Sequence, residues 1–357
     1  MTLTTPCRLM LCKAYFIAWG TDLTYTLGKA MILSPIPWLL EEDNPSARYF
    51  TLVRLLDMSE ADPQVQSARD AIMEGQPVKR ILSRQQPGGY WYQPEAYYIS
   101  TKYKGTVWSL LLLAELGADA RDERVHNACE FLLTHARDPQ SGAYAYYGGN
   151  HNKVIPCLTG NLLWSFIRLG YLDDERIRQG LQTTAAFQRA DDGGSRPPKE
   201  WPYTISDKCW GRHTCMMGPV KLLKAAAEVP ASQRTPEVNA MVGICVEFLL
   251  AHHLFKRSHD LNQIANPRWT QLGFPLFWQT DVIEMLDILL RLGVSDVRMQ
   301  EAIDLVLSKR DEQGRWHQEN SMFQGRTLIT LEKPDVPSKW VTLQALGVFK
   351  RLGMDIS

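Results

Sequence analysis

The chain has 357 residues, enough to bury a large hydrophobic core. Lys plus Arg equals Asp plus Glu at 39 each, so no net field favours nucleic acid or an anionic membrane. Seven cysteines, an odd number scattered without the spacing of a small secreted domain, point to a reducing, cytoplasmic setting without disulfides.

Residues 1–30 lack the helical periodicity of the rest of the chain. Their apolar run, 7–19, carries Arg8 and Lys13 and is too short to span a bilayer. They read as a poorly ordered leader or an upstream extension, with Met31 an equally natural start. Residues 31–357 read as one domain. From about Trp38 onward the same order of parts recurs with a period of roughly fifty to sixty residues: an apolar helix ending in Leu-Gly, a short acidic turn with Arg, then an amphipathic helix. Glu115-Leu116-Gly117, Arg168-Leu169-Gly170, Arg291-Leu292-Gly293 and Arg351-Leu352-Gly353 place glycine where a left-handed helix cap is wanted. After three of these stops, Asp122, Asp174 and Asp296 are set to cap the next helix.

Helices before the stops, at 108–116, 162–169 and 282–292, are apolar nearly all round and must be covered on every side. Those after the turns, such as 123–136, are mixed, which predicts an inner and an outer ring. No Val/Ile/Thr-rich alternating runs appear, which excludes an extensive sheet. Thr106, Thr159, Thr214, Thr280 and Thr342 recur near the starts of the inner helices, where a hydroxyl can satisfy free backbone N–H groups. Five amino ends are thus expected at one rim.

Candidate chemistry gathers at that rim. Cys209, His213 and Cys215 lie within a few residues of Asp207, and Cys157 occupies the matching place one repeat earlier. Three or four such donors can build a tetrahedral zinc site; buried thiols and a backbone-bonded histidine are the alternative. Lys104, Arg212 and Lys339 could clamp an anion, and Tyr103, Trp278 and Trp340 could wall a cavity and face a cation, with salt bridges and packing the alternative for each. Asp281 is the best-placed acid, although a carboxylate at a helix amino end is expected to titrate low. No Walker loop, GxGxxG turn, HExxH helix or GxSxG elbow occurs.

Gln85-Gln86-Pro87-Gly88-Gly89-Tyr90-Trp91 fits the pattern Q-x-x-x-G-x-W, which Gly142 with Tyr144 and Gly314 with Trp316 repeat in part. This resembles the QW repeats of squalene-hopene cyclases and the related repeats of protein prenyltransferase β subunits, within the terpenoid cyclase and prenyltransferase superfamily. The resemblance implies an all-α fold, an α/α toroid of about five helix-pair repeats with an N-terminal helical extension. It also implies a central apolar, aromatic cavity for a hydrophobic small molecule of prenyl or terpenoid type. Asp207, Cys209 and His213 look like the zinc motif of protein prenyltransferases, although that family takes them from different repeats. The Asp-x-Asp-Asp acid motif of class II cyclases is absent.

The reading is an isoprenoid- or lipid-handling enzyme with Asp281, His213 and Cys209 as catalytic residues and zinc on Asp207, Cys209, His213, Cys215 and Cys157. Tyr103, Lys104, Arg212, Trp278, Lys339 and Trp340 would meet the substrate. The alternative is a noncatalytic helical-repeat module for an apolar ligand or a partner protein. A membrane surface is allowed but not required, and no pattern specifies an oligomer.

Overall fold

A computed structural model describes residues 34–98, 103–148, 151–320, 322–323 and 325–356. The leader assigned to 1–30 lies outside the described residues, which belong to the compact unit Leu33–Ser357. First come α1 (Ile36–Leu39) and α2 (Pro45–Phe50), the latter continued by a π-helical turn at Thr51–Leu55. Then α3 (Pro63–Glu74) and α4 (Gln76–Leu82) lead into α5 (Thr106–Leu116), and α6 (Glu123–His135) into α7 (Pro156–Arg168). Next, α8 (Glu175–Phe187) and the single turn α9 (Asp207–Trp210) lead into α10 (Met217–Glu228). Finally α11 (Pro236–Ala251) leads into α12 (Val282–Arg291), and α13 (Gln300–Ser308) into α14 (Lys339–Arg351). Among the described residues the strands form two antiparallel hairpins, β1 (Ala145–Gly148) with β2 (His151–Val154) and β3 (Lys256–Arg257) with β4 (Asp260–Ile264).

The helices α5, α7, α10, α12 and α14 pack side by side in that order; α5, α7, α10 and α12 each pack against the outer helix that follows, α6, α8, α11 and α13, α5 also meets α4, and α2 with its π turn lies against α14. Lys350 Nζ donates to the Leu55 carbonyl at 3.0 Å, while Ser46 Oγ donates to the Leu116 carbonyl at the end of α5 at 2.7 Å. The extension therefore closes the ring. The fold is the expected all-α toroid of five outer–inner pairs, with a sixth inner stave that the repeat count does not include.

Burial explains the two rings. Every residue of α5 except Glu115 is buried, whereas α6 buries one stripe, Val125, Ala128, Cys129, Phe131, Leu132 and Leu133. The four Leu-Gly stops close as predicted: Gly117, Gly170, Gly293 and Gly353 have φ of 75°, 87°, 79° and 72°. The next residue's N–H then reaches back to Leu113, Phe166, Leu289 and Phe349 at 2.9 to 3.0 Å. Asp122, Asp174 and Asp296 accept the N–H two residues on, at 2.9, 2.8 and 2.9 Å. Arg176 and Arg298 then tie each cap to the preceding outer helix through Glu130 and Glu247.

The threonines act differently from expectation. Thr106, Thr342 and Thr214 accept the backbone N–H of Trp91, Trp316 and Asp191 at 3.1, 3.0 and 2.8 Å, and Thr159 donates to the Tyr144 carbonyl at 3.0 Å. They anchor the preceding turn to the inner helix rather than cap that helix. In the same turns the Trp91 and Trp316 indoles fold back and donate to the carbonyls of Ile81 and Val306, both at 2.7 Å. Asp281, not Thr280, caps α12.

Candidate functional site

Because each inner helix follows an outer one, the inner helices run in one direction and their amino ends share a rim. There the loops before α5 and α12 and the segment before α14 bring aromatic rings together. Tyr103 meets Trp108 at 5.1 Å, Phe277 at 6.0 Å and Phe323 at 4.8 Å between ring centroids. Tyr98 stacks on Trp108 at 4.9 Å, and Trp278 Nε1 donates to the Tyr103 hydroxyl at 3.2 Å. Tyr103 and Phe277 hold φ of 71° and 50°, a left-handed backbone that bulky residues adopt only where the surroundings impose it. Tyr103 and Trp278 thus both belong to this aromatic cluster. Phe277, Phe323 and Tyr98 were not singled out, since an aromatic in a loop carries no periodic signal.

Trp340 is buried, stacked on Phe274 at 4.3 Å and near Phe50, so it is core at the ring seam. Lys339 is also buried, with Nζ 2.9 Å from Glu41 and paired with Asp43. Two carboxylates neutralise it, which removes it from an anion clamp. Lys104 is exposed, and exposed Arg212 donates Nε to the Gly193 carbonyl at 2.7 Å.

The zinc set does not assemble. His213 is exposed and faces Asp192, with Nδ1 3.4 Å from Oδ1, and Asp207 is exposed on α9. Cys157, Cys209 and Cys215 are near enough to one another to interact electrostatically, with Tyr98 against Cys157. Burial, then the Cys215 and Cys209 thiols, push the Cys157 thiol up to about 12, which favours the neutral form. Among the described residues no three His, Cys, Asp or Glu side chains converge to hold a metal ion.

Asp281 is fully buried. Its Oδ1 accepts from the Glu284 N–H at 2.9 Å and its Oδ2 from the Gly273 N–H at 3.0 Å. Burial pushes its carboxyl up to about 7, against the low value expected of a helix cap. The two N–H donors and the dipole oppose this rise but are outweighed by desolvation.

The axis of the ring departs from the apolar cavity that the resemblance implies. Toward the carboxyl ends of the inner helices lies a cavity of about 170 Å³ whose lining includes Arg54, Arg168, Lys224, Glu228, Asp287 and Arg351. Behind Glu284, which lines it, buried Lys221 donates to both carboxylate oxygens at 2.8 and 2.7 Å. Their signature was present in the sequence: charges at 221, 224 and 228 in α10 and at 284, 287 and 291 in α12, helices that are otherwise largely apolar.

No helix among the described residues is long and apolar enough to cross a membrane. No known family profile matches the chain, and no curated protein matches its sequence. Among solved structures it is similar to two variants of the type II terpene cyclase MstE from Scytonema in complex with geranylgeranyl dihydroxybenzoate. One has TM-score 0.42, 14% identity and coverage of 87% of each chain; the other has TM-score 0.42, 15% identity and coverage of 88% of each. Apo MstE gives TM-score 0.38 and 15% identity over 86% of each chain. The closed ring described above rests on this chain's own contacts, and so does the reading of its site.

Proposed function

We propose that this chain is an isoprenoid-handling enzyme that receives a prenyl-type substrate at the aromatic rim. The observation that carries the reading is the convergence of Tyr98, Tyr103, Trp108, Phe277, Trp278 and Phe323 at the amino ends of the inner helices. Each Å² of prenyl tail removed from water there contributes about 25 cal/mol, and ring faces stabilise positive charge.

Asp281, three residues beyond Trp278, is the acid of this reading. With its carboxyl held up to about 7, a substantial share is protonated at neutral pH. Proton transfer to an alkene breaks the carboxyl O–H bond and forms a C–H bond, leaving the positive charge on the neighbouring carbon and the negative charge on Asp281. Nearby Lys221 partly offsets that negative charge.

The test is incubation of the purified chain with geranylgeranyl dihydroxybenzoate, the compound bound by the MstE variants, and with geranylgeranyl diphosphate, read by mass spectrometry. Cyclised product is expected from the wild type. Asp281→Asn keeps a cap oxygen for the Glu284 N–H and is expected to cut turnover by about a hundredfold or more while still binding substrate. Turnover untouched by Asp281→Asn, or no binding of either compound, would overturn the reading. Binding without conversion would return the noncatalytic module. Zinc is decided separately: stoichiometric metal lost in Cys209→Ser would establish it, and metal-free active protein would retire it.

A further inference from the structure

The cavity on the ring axis, at the end opposite the rim, is built unlike a hydrocarbon pocket. Each of the six inner staves contributes to it: Arg54 from the closing segment, Glu115 from α5, Arg168 from α7, Lys224 and Glu228 from α10, Glu284, Asp287 and Arg291 from α12, and Gln344 and Arg351 from α14. Among the lining residues Arg351 keeps 34% of its side chain accessible and Lys224 13%, while Lys221, behind Glu284, keeps none.

Matching charges shows an excess. Glu115 is taken by Lys224 at 2.6 Å and Glu284 by Lys221 at 2.7 Å. Glu228 is taken by Arg291 at 2.9 Å and by the Trp164 indole at 3.0 Å, and Asp287 by Arg351 at 3.0 Å. Arg168 is left with only a 3.9 Å approach to the already engaged Glu228. Arg54 pairs with no carboxylate among the described residues. Both guanidinium groups face the same Phe50 ring, at 4.0 and 5.8 Å from its centroid. Two like charges gathered at one ring repel each other, and the carboxylates nearest them, Glu228 and Asp287, are already engaged by Arg291 and Arg351. Helix-end carbonyls answer for part of the basic lining, since Arg351 donates to the Gly347 carbonyl at 3.0 Å and Arg291 to that of Ala227 at 3.3 Å. They do not answer for Arg54 and Arg168. One more group is incomplete: Gln344 Oε1 lines the cavity, is buried and has no donor.

We propose that this cavity is a binding site for a small oxyanion that carries a hydroxyl, its charge held between Arg54 and Arg168 and its O–H given to Gln344 Oε1. A cavity of about 170 Å³ lined by this many charges has room for hydrogen phosphate or a short hydroxycarboxylate, and its charged walls disfavour a prenyl chain. The charge-assisted, forked contacts of two guanidinium groups are the recognition that such an anion requires. The site stands at the other end of the ring and depends on nothing argued for the rim.

Isothermal titration of the full chain with inorganic phosphate and with malate tests this, at low and at raised sodium chloride. At least one is expected to bind saturably at one site per chain, more weakly at high salt. Phosphate alone assigns a phosphate site, and malate alone a carboxylate site. Arg54→Gln removes a charge that pairs with no carboxylate and keeps a polar side chain, so the fold is expected to survive, checked by circular dichroism; binding is expected to weaken about ten- to hundredfold. Arg168→Gln provides a second, independent loss, and Arg121→Gln, an exposed arginine far along the chain on the α5–α6 turn, should change nothing. No saturable binding of either anion by wild type, or binding indifferent to both Arg54→Gln and Arg168→Gln, would overturn the proposal.

Discussion

At the scale of single residues, burial decides what the sequence leaves open. Asp281 is at a helix amino end, where the dipole and two backbone donors would hold its carboxyl low, yet desolvation outweighs them and lifts it to about 7. A linear sequence shows the cap and not the depth. Because the folded value lies above the ordinary aspartate value of 3.8, the folded state binds the proton more tightly than the unfolded chain. The Asp281 contribution is therefore fully present below about pH 4 and is lost as pH rises through about 7. Urea denaturation between those limits should show wild-type stability falling relative to Asp281→Asn as pH rises; parallel curves would mean that Asp281 titrates normally. The Lys221–Glu284 pair makes a second test. Lys221→Met leaves Glu284 buried with only Lys224 at 3.1 Å, and is expected to cost about 3 kcal/mol. Adding Glu284→Gln should recover part of it, and a purely additive double mutant would deny the coupling. Lys339 illustrates the same limit from the other side, since its partners Glu41 and Asp43 lie almost the whole chain away in sequence.

At the scale of elements, the sequence was readable where local chemistry sets the geometry. Left-handed glycine stops, aspartate caps and the turns around Trp91 and Trp316 all involve residues within about ten positions, and all form as their spacing predicts. The threonines were located correctly but given the wrong partner, because the turn that each one anchors is distant in sequence by a variable loop, 15 residues for Trp91 and 26 for Trp316. Helix contact is harder still to foresee. A Cβ on Gly160 of α7 would stand 2.4 Å from the carbonyl carbon of Lys221 in α10, so those two staves touch backbone to backbone. Gly160→Ala must push them apart and is expected to destabilise the chain by about 1–3 kcal/mol in denaturant titration. Gly243→Ala in α11, where a Cβ meets nothing within 4 Å, should be neutral or slightly stabilising. Equal effects at the two positions would deny the close crossing.

At the scale of the whole molecule, five repeats predict the ring but not its closure. The sixth stave, Pro45–Phe50 with its π turn, lacks the Leu-Gly stop that marks the others, and only its long-range contacts with α14 and the end of α5 reveal its place. Closure is what gives the molecule two distinct ends. One is an aromatic rim at the amino ends of the inner helices, and the other is a charged cavity at their carboxyl ends. In the proposed scheme a prenyl-type ligand takes the first and a small anion the second, and a single labelling experiment separates them. A geranylgeranyl analogue bearing a photoreactive group on its terminal isoprene unit, irradiated with the full chain and mapped by peptide mass spectrometry, should mark the residues around Tyr103, Trp108, Phe277 and Phe323. Labelling around Arg54, Arg168 and Gln344 instead, or labelling that excess unlabelled geranylgeranyl compound does not suppress, would contradict it.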